Sequence, residues 1–113
     1  MPAWTFSQAM TANQQGLDAF ANWQYRYLPY RARLTVISNA TTTAVRETGT
    51  TGSMTTKQKS PVQGGATAGV QGTPFNAPIY DWIGEAGDLI SWIFDETAGG
   101  TPTVNLWANL DPV

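Results

Sequence analysis

The stretch from Ile79 to Asn109 constrains the fold most, because it reads as three strands separated by two glycine-containing turns. Ile90, Trp92 and Phe94 recur with a period of two, which places them on one wholly apolar face of a strand. A helix fits poorly, because glycines and prolines interrupt the stretch at strand-length intervals. After the second turn, the same period of two puts three more apolar residues on one face, namely Val104, Leu106 and Ala108.

Further strands are predicted upstream at short intervals. Residues 31–38 form a strand, Asn39 and Ala40 turn the chain, and residues 42–47 return. A turn over residues 49–52 then leads into residues 53–60, whose lysines are typical of an edge strand because they discourage unwanted pairing. Six to seven strands with short turns predict an all-β fold, an antiparallel β-sandwich that is jelly-roll-like.

The first thirty residues differ from the rest, so we expect an N-terminal aromatic arm over residues 1–30 and a β-sandwich domain over residues 31–113. Leu17, Phe20 and Ala21 share one helical face, which predicts a short helix within the arm. The arm carries too many aromatic side chains for a solvated tail. It packs either across its own sandwich or on a neighbouring subunit.

The second of these alternatives predicts a subunit interface. The predicted residues are the aromatic side chains of the arm, one anchor in the long loop over residues 64–78 and one tryptophan on the last strand. A loop of this length in a compact domain is usually functional or lies against another surface. The predicted interface residues are Trp4, Phe6, Phe20, Trp23, Tyr25, Tyr27, Tyr30, Phe75 and Trp107.

The absence of histidine and cysteine from the chain restricts its chemistry. It removes the usual general base, the Ser-His and Cys-His nucleophile systems, thiolate metal sites and disulfides. Carboxylate chemistry through Glu85 and Asp88 is the remaining enzyme hypothesis. We predict that the protein is not an enzyme and that it uses no metal and no cofactor. The acidic residues that we interpret as solvated turn residues are Asp81, Glu85, Asp88, Asp95 and Glu96.

Charge is sparse and unevenly distributed. Only 12% of the residues are charged, against about 25% in a typical domain. Residues 1–60 hold all six basic residues and two acids, a net charge of +4, whereas residues 61–113 hold six acids and no base, a net charge of −6. The two halves are either complementary within one molecule or face each other in a head-to-tail interface between copies.

The run RARLTVISNATTTAVRETGTTGSMTTKQKSPVQGG, followed by AGDLISWIF, resembles small β-sandwich structural proteins of bacteriophage virions, namely minor capsid, decoration and spike-base proteins. The resemblance covers Arg31 to Phe94. It implies a homo-oligomer with other virion proteins as partners, and an N-terminal arm that threads between subunits. No run of about 20 apolar residues is present, so no membrane span is expected. We expect synthesis in the host cytoplasm and residence in the virion.

Two binding hypotheses accompany this interpretation. Arg26, Arg31 and Arg33 are interleaved with tyrosines, and arginine pairs with phosphate while tyrosine stacks on bases. Three arginines and a pI near 4.7 limit this to a weak contact with packaged nucleic acid. The alternative to a virion protein is a carbohydrate- or cell-surface-binding module that uses Trp107 and the long glycine loop.

Overall fold

The computed structural model of the protein describes residues 3–42, 45–65, 69–70, 79–97 and 99–113. Within these residues the chain forms eight strands and no helix. In chain order the strands are β1 (Ala3–Ala9), β2 (Leu17–Asp18), β3 (Ala32–Ala40), β4 (Val45–Thr51), β5 (Met54–Pro61), β6 (Ile79–Gly84), β7 (Ile90–Glu96) and β8 (Thr103–Pro112).

The strands form two four-stranded sheets. The first sheet has the order β1-β8-β3-β6, and the second sheet has the order β2-β7-β4-β5. All neighbouring strands are antiparallel. The prediction of an all-β antiparallel fold is confirmed, and so is the edge position of β5. Two strands beyond the predicted sandwich, β1 and β2, come from the segment that was expected to be an arm.

The two sheets face each other across a hydrophobic core. Ile90, Trp92 and Phe94 of β7, predicted to share one apolar face, are all buried. Trp82 of β6 in the first sheet stacks on Trp92 of the second sheet, with ring centres 5.8 Å apart and planes inclined by 16°. The arrangement is β-sandwich-like, and it is called the sandwich below.

The predicted short helix in the N-terminal segment is wrong. Residues 11–31 form turns around the two-residue strand β2. Asn13 and Gly16 have φ angles of 56° and 75°, and such left-handed residues interrupt a right-handed helix. The segment is tied to the second sheet instead, since the Ala19 amide donates to the Trp92 carbonyl at 2.9 Å. The apolar residues whose spacing suggested a helical face lie along this irregular path instead.

The aromatic residues of the N-terminal segment complete the core of the sandwich. β1 pairs with β8 along its full length, and Phe20 and Trp23 are 0% and 5% exposed. Trp4 stacks on Trp23 with ring centres 5.9 Å apart. Its indole nitrogen donates to the Ala19 carbonyl at 2.8 Å. Residues 3–30 therefore pack across their own sandwich and share one core with the strands that follow.

Two predicted turns lie inside strands. β3 continues through Asn39 to Ala40, and β4 continues to Thr51, so the tight turn falls at Gly52 and Ser53. Gly52 has a φ of 60°, the left-handed conformation that glycine adopts readily. Gly49 suggested a turn, but the structure gives a different reason for a glycine there. The backbone at this position lies against the Trp92 ring, which leaves no room for a side chain.

Replacement of Gly49 by alanine is expected to lower the free energy of unfolding by about 1–3 kcal/mol, the usual cost of overpacking a core. A Cβ at this position would lie 2.5 and 2.7 Å from two ring carbons of Trp92. The ring is fully buried and has little room to move. Urea denaturation measures the change.

The matched control is Gly100→Ala. A Cβ there would meet only Glu96 at 3.7 Å and Pro102 at 4.0 Å, which are ordinary contacts. We expect this variant to stay within about 0.5 kcal/mol of the wild type. Equal stability of the two variants would contradict the close approach of Trp92 to β4.

Candidate assembly interface

The predicted interface residues separate into buried and accessible groups. Phe20 and Trp23 lie in the chain's own core, and Trp4, Phe6, Tyr25 and Tyr30 are partly buried against it. Tyr27 is 54% exposed. Phe75 lies outside the described residues. In this structure Phe20 and Trp23 serve the fold, so the surface offered to a partner is smaller than the sequence predicted.

Tyr27 lies beside a second exposed apolar residue. It forms an antiparallel bridge with Leu89, which is 41% exposed. A glycine and a carboxylate form the turn that precedes Leu89. Gly87 has a φ of 88°, and Asp88 accepts a hydrogen bond from the Glu85 amide at 3.0 Å. The Asp88 carboxylate thus stabilises the turn.

The three arginines of the nucleic-acid hypothesis lie near this same turn and are exposed. The Arg26 guanidinium lies over the Tyr27 ring at 5.5 Å. Arg31 forms an ion pair with Glu85 at 3.1 Å. Arg33 stands in register with Asp111 on β8. Acidic neighbours therefore reduce the positive field that packaged nucleic acid would meet.

The remaining predicted interface residue, Trp107, faces outward from the first sheet. It is partly buried and pairs in register with Thr5 of β1 and Ile37 of β3. On the same face, Asn105 is fully buried and accepts a hydrogen bond from the Gly69 amide at 3.0 Å. The long loop over residues 64–78 thus contacts the outer face of the first sheet at Gly69.

Two of the predicted solvated acids are buried, and that interpretation was wrong for them. Asp95 and Glu96 are 7% and 0% exposed. Asp95 accepts a hydrogen bond from the Gly16 amide at 2.8 Å, and Glu96 accepts hydrogen bonds from the amides of Gly99 and Gly100 at 2.6 and 3.1 Å. Both carboxylates lie at the end of β7, where adjoining segments cover them and supply backbone donors.

Ion pairs connect the two oppositely charged parts of the chain. Arg31 with Glu85 and Lys59 with Asp95, the latter at 3.2 Å, each join the basic part to the acidic part within one molecule. These contacts favour internal complementarity over a head-to-tail interface.

A buried polar cluster in the core was missed by the sequence analysis. Glu47 of β4 is 1% exposed, and its Oε1 accepts hydrogen bonds from Ser38 Oγ at 2.5 Å and from Trp92 Nε1 at 2.7 Å. Its Oε2 lies 3.5 Å from Lys57 Nζ. Alternation from the buried Val45 would have placed position 47 inward, so the signal was present in the sequence.

The cluster joins the two sheets along the side between β5 and β6. The Lys57 ammonium group lies 4.8 Å from the centre of the Tyr80 ring, and it also contacts Ser60 Oγ. Burial raises the pKa of Glu47 despite the lowering effect of its hydrogen-bond donors and of Lys57. Burial, and secondarily the Glu47 charge, raise the pKa of Tyr80. The cluster connects an edge strand of each sheet, and its carboxylate, that of Glu47, is buried.

Within the described ranges, no group of three or more metal-ligating side chains could hold an ion. Nor does that part of the chain contain a helix long and apolar enough to cross a membrane. The chain matches no protein-family model, and no curated protein and no solved structure is significantly similar to it. The functional argument therefore rests on the fold and its surfaces.

Proposed function

We propose that the protein is a non-enzymatic structural protein of a virion, and that copies of it assemble into a capsid or a capsid-associated oligomer. Other virion proteins are its further partners. Packaged nucleic acid is a weak contact of Arg26, Arg31 and Arg33. The protein would be made in the host cytoplasm and reside in the virion.

The strand pairing carries this proposal. β1 pairs with β8, β2 with β7, β3 with β6 and β4 with β5. Nested pairs of this kind support a jelly-roll path, in which one long antiparallel hairpin is rolled into two facing sheets. Jelly rolls build many viral capsid domains. Because one fold serves several functions, the surfaces must support the choice.

The outer faces of the sandwich are weakly charged. On the second sheet, Thr50 and Ser91 face outward and hydrogen-bond each other across β4 and β7. On the first sheet, Ile79 and Ile83 of β6 are 48% and 43% exposed. Interface cores are depleted in charged residues. Weakly charged outer faces with exposed isoleucines support burial against neighbouring subunits.

Jelly rolls also occur in lectins, and a glycan-binding module is the alternative proposal. It requires Trp107 to present its ring to a sugar. A glycan array probed with the wild type and with Trp107→Ala distinguishes the glycan-binding proposal from the structural one. Binding that disappears in the variant would favour the alternative, whereas we expect no glycan signal from the wild type.

Electron microscopy of the purified full chain, concentrated under near-physiological salt, tests the proposed function. We expect rings, sheets or closed particles of uniform size. A field of separate small particles at every concentration would contradict self-assembly.

A further inference from the structure

β1 differs from the other edges of the two sheets. It ends the first sheet and runs for seven residues, AWTFSQA, with neither charge nor proline. Tryptophan, phenylalanine and threonine favour strands. Five of the seven residues are exposed, and only Trp4 and Phe6 are partly buried. Solvent, and therefore another chain, reaches most of this strand.

The other three edges carry features that discourage pairing with a foreign strand. β5 holds Lys57, Lys59 and Pro61 and has register shifts around Gly49 of its partner strand. β2 is two residues long. β6 carries Asp81 on its outer side. Natural proteins protect edges with lysine, proline, bulges, charge and short length, and β1 has none of these.

We propose that β1 is the assembly edge of the protein and that its partner is β1 of a second copy, so that the first sheets of two copies join into one eight-stranded sheet. This inference rests on the proposed function and specifies the contact through which two copies associate. An antiparallel edge is self-complementary about a twofold axis, so a second copy always supplies a matching strand. The absence of charge from β1 means that no like charges meet across the axis.

The longest self-pairing register is centred on Phe6. It sets Ala3 opposite Ala9, Trp4 opposite Gln8 and Thr5 opposite Ser7 of the second copy. Thr5 and Ser7 share the outer face of the first sheet, because they pair in register with Trp107 and Asn105 of β8. Ser7 Oγ donates to Asn105 Oδ1 of its own chain at 2.8 Å, and its oxygen can still accept from the Thr5 hydroxyl of the second copy, which is a favourable cross-strand pair.

Charge at positions 5 and 7 tests the register. In Thr5→Lys/Ser7→Lys, two lysine pairs would stand opposite each other across the axis, and like charges in that position are destabilising. In Thr5→Lys/Ser7→Glu, each lysine would stand opposite a glutamate. We expect the first variant to have the 12.2 kDa mass of one chain at concentrations where the wild type has at least twice that mass. The second variant should regain the wild-type mass.

Light scattering after size exclusion measures the masses, and circular dichroism with thermal melting establishes that each variant is folded. Thr55→Lys/Gln58→Lys is the matched control, because it adds the same charge to two exposed residues of the lysine-bearing edge β5. It should assemble as the wild type does. A folded Thr5→Lys/Ser7→Lys variant with wild-type mass would overturn the β1 edge while the proposed function stands. A monomeric wild type would overturn the proposed function itself.

Discussion

Replacement of Glu47 by alanine is expected to lower the free energy of unfolding by about 3–5 kcal/mol, the usual cost of breaking a buried ion pair on one side. The variant would leave the Lys57 ammonium group, whose side chain is 10% exposed, without its counter-charge. It would also leave Ser38 Oγ and Trp92 Nε1 without the acceptor that they share. Urea denaturation at neutral pH measures the loss.

Two further variants separate charge from packing. Lys57→Met leaves the Glu47 carboxylate buried without its cation, and we expect it to be strongly destabilising as well. The double variant Glu47→Gln/Lys57→Met removes both charges and keeps an acceptor for Ser38 and Trp92. Replacing both members of a buried pair is often nearly neutral, so the double variant should be more stable than Lys57→Met. Additive losses would show that the two residues do not interact.

The raised pKa of Glu47 has a defined consequence for stability. The folded state holds the proton to a higher pH than the unfolded chain, whose carboxyl titrates near 4.5. The folded state therefore binds more protons in the window above pH 4.5, and the contribution of this group to stability is greatest below that window and is lost as pH rises. The stability of the wild type relative to Glu47→Gln should rise as pH falls toward 4.5. A difference that is constant with pH would contradict the burial of an ionisable Glu47.

Phe20→Ala is expected to lower the free energy of unfolding by about 3–5 kcal/mol, as usual for truncating a buried phenylalanine. The ring is fully buried and lies 5.5 Å from Trp23 in the aromatic cluster. If the N-terminal segment were a detachable arm, the same substitution would hardly affect folding. Thermal and urea unfolding distinguish these outcomes.

The control for Phe20 is Tyr27→Ala. Both residues are aromatic members of the same segment, but Tyr27 is 54% exposed. Surface substitutions usually change stability by less than about 0.5 kcal/mol. A Tyr27→Ala variant as unstable as Phe20→Ala would contradict the assignment of the two residues to surface and core.

Deletion of residues 1–27 should unfold the protein, because it removes β1, β2 and this part of the core.

The fold could be predicted from the sequence wherever a strand alternates between apolar and polar positions. Ile90, Trp92 and Phe94 identified β7 because the period of two is uninterrupted there. β1 was missed because its alternation is weak: Trp4 and Phe6 face inward, but Ala3 and Ala9 are small and neutral. The tight turn at Gly52 was placed too early, because Gly49 fits a turn locally, whereas the tertiary contact with Trp92 determines its place in β4.

The candidate site could be predicted only in part, for a similar reason. Sequence position identified aromatic residues that need burial but not the surface that buries them, so Phe20 and Trp23 were assigned to a partner rather than to the core. The edge character of β1 depends on which strands are neighbours. That follows from the pairing of residues about 100 positions apart, as Ala3 with Asn109, and no local pattern contains it.

The molar mass of the wild-type chain, measured by light scattering after size exclusion at low and high salt, tests the central claim most directly. We expect a defined multiple of 12.2 kDa that persists at high salt, because the β1 edge is uncharged and salt screens only charged contacts. Dissociation in high salt would indicate that the charged halves of the chain form the interface instead of β1. A mass of 12.2 kDa at every concentration would contradict an assembly-forming protein.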